Sequence, residues 1–170
     1  MKIKTIEFKV FEYSNLDELP GEDKKLMLRA RDSGQKAYAP YSGFCVGAAV
    51  LLENGEIIIG NNQENAAYPS GLCAERVALF YASAKFPTIG IKALAISNAN
   101  NKDAKPCGSC RQVIAEYEDL SGIPIRIILD GENTIKVFEG IDNLLPLRFN
   151  KSDLTFQKWI SVEFSIRIIN

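Results

Sequence analysis

Three of the four cysteines of this chain fall in two short runs, Cys73-Ala74-Glu75-Arg76 and Pro106-Cys107-Gly108-Ser109-Cys110-Arg111-Gln112. Both runs stand where the apolar pattern predicts a helix to begin. A fold that uses both must therefore bring two helix starts, distant in sequence, to one point. Backbone N–H groups at a helix start are unpaired and the macrodipole is positive there, and both favour a thiolate over a thiol. Three thiolates at one point make three corners of a zinc tetrahedron and leave the fourth open, the layout of a catalytic metal site. Glu75, close after Cys73, is placed to move protons at that corner without ligating the metal. Arg76, next to Glu75, and Arg111, next to Cys110, are both expected to hydrogen-bond the sulfurs and offset their surplus negative charge.

Other uses of these residues exist. A C-x-x-C pair also serves as a redox couple or as half of a zinc knuckle. A purely structural zinc needs a fourth protein ligand, and only Cys45 remains to supply it. Cys45 stands in the apolar run Phe44-Cys45-Val46-Gly47 and reads as a small buried hydrophobe. The chain has no histidine, which excludes Ser-His-Asp and Cys-His systems and every metal site built on imidazole. A general base has to be Glu, Asp, Lys, Tyr or Cys.

With 170 residues, 46% of them hydrophobic and 24% charged, one globular domain spanning residues 1–170 is expected. The net charge of -1 gives no electrostatic footprint for nucleic acid or an anionic membrane. No apolar run reaches the length of a membrane span. The opening stretch MKIKTIEFKVFEYS alternates charged and apolar residues instead of forming a secretory core, so a cytoplasmic, reducing location is expected, with the cysteines kept as thiols.

The pattern along the chain predicts a strand at residues 3–11 and a helix over 24–38 ended by Pro40. A hairpin follows, 46–52 with 57–59, around Asn54-Gly55, where both turn residues are expected at positive φ. A helix over 73–85 carries Val77, Phe80 and Tyr81 on one face. A strand at 93–97 and a helix over 107–120 come next, with Pro106 in that helix's first turn. Strands at 124–129 and 134–138 close the series. This order gives an α/β three-layer α/β/α domain with a mixed five-stranded core sheet. Residues 154–170 are too apolar for a solvated tail and are expected to pack, as a strand beside the N-terminal one.

Further segments complete a resemblance. Tyr41-Ser42-Gly43-Phe44-Cys45-Val46-Gly47-Ala48 is similar to a Y-S-x-F-x-V-G-A element, and Gly60-Asn61-Asn62-Gln63-Glu64-Asn65-Ala66-Ala67-Tyr68 to G-x-N-x-E-N-A-x-Y. Leu144-Leu145-Pro146-Leu147-Arg148-Phe149 is similar to L-L-P-G-A-F, with Leu147-Arg148 in place of Gly-Ala. Together with the cysteine runs these resemble the cytidine deaminases of the small, homotetrameric, three-cysteine type, over about residues 23–150. Residues 1–22 and 151–170 then stand as N- and C-terminal extensions.

The resemblance implies a zinc-dependent hydrolytic deaminase of pyrimidine salvage, turning cytidine and deoxycytidine into uridine and deoxyuridine with release of ammonia. It implies Cys73, Cys107 and Cys110 as zinc ligands, with Glu75 carrying a proton from water to N3 of the pyrimidine and then to the departing amine. Asn62 and Glu64 would bind the ribose hydroxyls, Phe44 would pack on base or ribose, and the Ala74 backbone would meet the pyrimidine edge. Phe149 would reach a neighbouring subunit's site in the tetramer. The alternative is a deaminase of another cytosine-containing small molecule, such as a blasticidin-type antibiotic. A nucleic-acid deaminase fits less well, since such relatives place histidine where Cys73 stands and need a basic groove. A zinc-holding assembly module without turnover would lack the carboxylate that Glu75 provides.

Overall fold

A computed structural model describes residues 1–100 and 102–154. Six strands form one sheet: β1 (Phe11–Tyr13), β2 (Val46–Leu52), β3 (Ile57–Asn61), β4 (Ile91–Asn98), β5 (Arg126–Leu129) and β6 (Ile135–Glu139). Their spatial order is β1-β6-β5-β4-β2-β3. Only β4 and β5 run parallel, and the other neighbours are antiparallel. Parallel neighbours need a crossover, which α3 (Gly108–Ser121) supplies. The three-layer architecture and its mixed five-stranded core are as expected. The sixth strand is a short addition at one edge by residues 11–13, and residues 1–10 form no regular element.

The two faces of the sheet carry separate cores. On one, α1 (Gly21–Gly34) packs Leu26, Met27 and Ala30 against Ala49, Leu51, Ala95, Ile128 and Val137. On the other, α2 (Ala74–Lys85) and α3 bring Ala78, Leu79, Ile114 and Ala115 onto Val50, Leu94, Ile96 and Ile127. Successive residues of a strand point to opposite faces, so Val50 and Leu51 serve different cores. Truncating one of these fully buried leucines to alanine costs about 2–5 kcal/mol.

Two glycines set how closely the helices sit. A Cβ on Gly47 would stand 2.0 Å from the Ala30 carbonyl of α1. One on Gly60 would stand 2.6 Å from the Ala78 backbone nitrogen and 2.8 Å from the Ala74 carbonyl. No side chain fits there, so the first turn of α2 rests directly on β3. That contact fixes where Cys73 and Glu75 stand over the sheet.

Several local expectations need correction. In the β2–β3 loop only Gly55 has positive φ, at 86°. The loop closes with Gly55 N–H on the Leu52 carbonyl and Leu52 N–H on the Glu56 carbonyl. This longer loop relieves Asn54 of the left-handed conformation that a two-residue turn would demand. Phe80 and Tyr81 do not form the buried face of α2: they are exposed, and Ala74, Glu75, Ala78, Leu79 and Ala82 face inward. Alanine holds three of these five positions because the sheet is so close. Pro106 precedes the cap residue Cys107 instead of lying in the first turn of α3. The expected packing of 154–170 beside the N-terminal strand falls, after Leu154, outside the described residues.

Candidate active site

Cys73 and Cys107 each cap a helix from an extended conformation, at the starts of α2 and α3. Cys110 lies in the first turn of α3 and is buried. With both helices on one face of the sheet, the ligand atoms of the three residues lie within 4.8 Å of one another. The Cys107 and Cys110 sulfurs are 3.4 Å apart. Thiolates about 2.3 Å from one tetrahedral ion stand about 3.8 Å apart, so the trio matches zinc in spacing and softness. Cys45 is half-buried and unpaired with another cysteine, and it is not part of this cluster.

One of the three sulfurs, that of Cys73, is poised as an anion. The Cys73 thiol is pulled down to about 5, first by a hydrogen bond from Cys110 and then by Arg76. Cys110 shares that proton and is displaced upward, by the same bond and by burial. Arg76 Nη2 sits 3.9 Å from Cys73 Sγ and 3.4 Å from the Gly71 carbonyl. Its Nε is buried without a hydrogen-bond partner among the described residues. An unpaired guanidinium N–H of this kind is rare, and additional anionic charge on the thiolates would favour its position. Arg111 does something else: it donates to the carbonyls of Pro106 and Leu144, at 3.0 and 2.7 Å. It ties the loop ahead of α3 to the segment at 144, and among the described residues none of its hydrogen bonds goes to a sulfur.

Glu75 is 3% exposed, in the first turn of α2. Burial raises its pKa above the ordinary carboxylate value, opposed by its own backbone N–H and by Cys110. The negative charge of Cys73 pushes it further up. A carboxyl held this way gives up its proton less readily than an exposed one, which suits a group that must both take and return a proton.

A cavity of about 460 Å³ opens beside Cys73 and Arg76, and Asn62, Glu64, Tyr41 and Tyr68 form much of its wall. The Tyr41 and Tyr68 rings meet edge to face, with centroids 6.1 Å apart. Glu64 accepts from the Ser42 hydroxyl and from the backbone N–H groups of Tyr41 and Ser42. These bonds, the Ser42 hydroxyl first, hold its carboxyl below the usual range. Asn62 Oδ1 accepts from Val46 N–H at 2.8 Å, and its Nδ2 donates to the Phe44 carbonyl at 2.9 Å. Asn62 therefore fixes the backbone on either side of Cys45, and one N–H of its amide has no bond among the described residues. Phe44 is 40% exposed and, like the buried Ala74, lies outside the wall of this cavity. The role of Ser42 in presenting Glu64 was not read from the sequence, although its place before Gly43-Phe44 was a usable signal.

The closing segment is tied to α3. Gln112 donates to the Phe149 carbonyl at 2.8 Å. Arg148 bonds Asp142, Asp119 and the Ala115 carbonyl. Its neighbour Leu147 has φ of 57°.

Residues 20–123 match the family model for the cytidine and deoxycytidylate deaminase zinc-binding region. The chain belongs to that deaminase family. It is 40% identical over 136 residues to a cytidine deaminase from Sporosarcina psychrophila, covering 78% of this chain and 95% of the relative. To a cytidine deaminase from Mycobacterium tuberculosis it is 38% identical over 125 residues, covering 69% and 91%. Among solved structures, the cytidine deaminase of Burkholderia pseudomallei superposes with a TM-score of 0.66 at 38% identity, over 74% of this chain and 97% of that one. This deaminase's zinc-binding region contains Cys73, Cys107 and Cys110, and the three thiols supply the donor set that zinc requires. No described helix is long and apolar enough to cross a membrane.

Proposed function

We propose that the chain is a zinc-dependent cytidine deaminase that hydrolyses cytidine and deoxycytidine to uridine and deoxyuridine, releasing ammonia, in pyrimidine salvage. The observation that carries this reading is the buried Glu75 at the same helix start that presents Cys73 to Cys107 and Cys110. Cys73, Cys107 and Cys110 would hold the metal, which when bound would act as a Lewis acid that makes water a nucleophile near neutral pH. Glu75 takes the proton of the attacking water and places it on ring N3. It then delivers a proton to the amino group as the C4–N bond breaks, so that cytidine and water become uridine and ammonia. Glu64, already ionised and oriented by Ser42, accepts from ribose hydroxyls. Asn62 donates its remaining N–H to the sugar. Phe44 packs on the nucleoside, and the Ala74 backbone meets the edge of the base.

Glu64 favours a plain nucleoside over an antibiotic substrate, because a carboxylate left without its hydroxyl partner loses binding. The exposed aromatic residues Phe80 and Tyr81 on the outer face of α2, with Tyr41 and Tyr68 near the cavity, support a homotetramer that closes over the site. A cytoplasmic location agrees with three reduced thiols poised for metal. The deaminase core is residues 23–150, with extensions at either end.

The deciding experiment is steady-state turnover of both nucleosides by the zinc-loaded protein and its Glu75→Gln variant. Removing a general acid–base group costs about 10²–10⁴ in kcat, and a loss in that range is expected with a smaller change in KM. Undiminished turnover removes Glu75 from the reaction.

A further inference from the structure

Residues 1–10 leave a row of large apolar side chains uncovered. Ile3, Ile6, Phe8 and Val10 are 81, 46, 64 and 38% exposed. From Thr5 to Val10 the sequence alternates strictly, with Thr5, Glu7 and Lys9 between the apolar residues, which is a strand pattern without a partner. The segment leads into β1, one of the two edge strands of the sheet. Its course is fixed where Lys9 N–H donates to Asn143 Oδ1 at 2.9 Å.

Beyond Leu154 the sequence holds a second pattern of the same kind. In Ile160-Ser161-Val162-Glu163-Phe164-Ser165-Ile166-Arg167-Ile168 every odd-numbered residue is polar and every even-numbered residue apolar. The two patterns are neighbours. A cavity of about 520 Å³ is walled by Lys4 to Glu7 on one side and by Arg148 and Asn150 on another, and Asn150 caps the short turn Lys151–Asp153. The described chain therefore ends beside the uncovered row. Residues 155–159, fully extended, reach about 16–18 Å, enough to return from Leu154 to this cavity.

We propose that residues 160–168 form a strand that docks on residues 3–10 of the same chain, turning Val162, Phe164 and Ile166 onto Ile6, Phe8 and Val10. Each row covers the other, whereas pairing of the N-terminal row with its own copy leaves 160–168 without a partner. The docked pair lies against the segment around Arg148, which is bonded to α3.

Hydrogen exchange on the zinc-loaded full chain tests this. With Val162→Asp and Phe164→Asp together, amides 4–10 are expected to exchange at least tenfold faster than in the parent. Ser161→Asp with Ser165→Asp, on the opposite face of the strand, is expected to leave their protection within twofold. In a refolded mixture of isotopically heavy and light chains, cross-links between residues 2–9 and 158–167 are expected to join peptides of like label. Unchanged exchange in the first variant, equal loss in the second, or cross-links of mixed label overturn the proposal. Cytidine turnover of both variants is expected within twofold of the parent, so the result is independent of the assigned reaction.

Discussion

Arg76 Nη2 lies 3.9 Å from Cys73 Sγ, and the same guanidinium leaves its Nε buried and unpartnered among the described residues. The pairing makes Arg76 the local counter-charge for a site that collects three sulfur anions around a divalent ion. Groups that orient and neutralise metal ligands in this way contribute about 10–100-fold to metal affinity. Arg76→Gln is expected to lower zinc affinity by about that factor, read by competition with a chromogenic chelator. Arg76→Lys is expected to recover little, because an ammonium does not reproduce the planar guanidinium whose Nη2 reaches both the Gly71 carbonyl and Cys73 Sγ. Wild-type affinity in Arg76→Gln would remove the charge role.

Glu64 is held ionised by the Ser42 hydroxyl and two backbone N–H groups. Its pKa lies below the ordinary value of 4.5. A lowered carboxyl pKa means that the unfolded state binds the proton more readily. The resulting stability is present above the ordinary value and disappears as pH falls through the lowered one. Ser42→Ala is expected to move the Glu64 titration upward, seen in its carboxyl carbon shift by NMR. It is also expected to raise KM for cytidine with little change in kcat. An unmoved titration would contradict the role given to Ser42.

Leu147 holds a left-handed backbone at φ 57° while its side chain is 83% exposed. A non-glycine residue there costs about 1–2 kcal/mol, and glycine gives back about 0.5–1 kcal/mol through its freer unfolded chain. Leu147→Gly is expected to stabilise the fold by about 0.5–1 kcal/mol, which is about 1–4 °C in Tm for a chain of this size. A lower Tm would show that Leu147 makes contacts worth more than its strain.

The cysteine trio was legible because its chemistry is local: two motifs at two helix starts, with no histidine to compete. The strand and helix positions followed from alternation, and the three layers from their order. Contacts made by tertiary neighbours were not legible. The inward face of α2 is lined by alanines because Gly60 lets the helix touch the sheet, so the larger Val77, Phe80 and Tyr81 misled the eye. Arg111 was assigned to sulfur from adjacency in sequence, yet the carbonyl of Leu144, far along the chain, claims it. Likewise Arg148 reads as a departure from a motif until Asp119 and Asp142 are seen around it. Asn62 and Glu64 were read for their free polar ends, and half of each side chain turns out to hold the backbone of residues 41–46 in place.

The most direct measurement is a zinc titration of metal-stripped, folded protein, following cytidine turnover and bound metal together. Turnover is expected to rise in proportion to zinc and to level off at one ion per chain, and Cys107→Ser is expected to lose both binding and activity. Full turnover by protein that carries no zinc, or saturation of the three cysteines with no gain in turnover, would contradict the account.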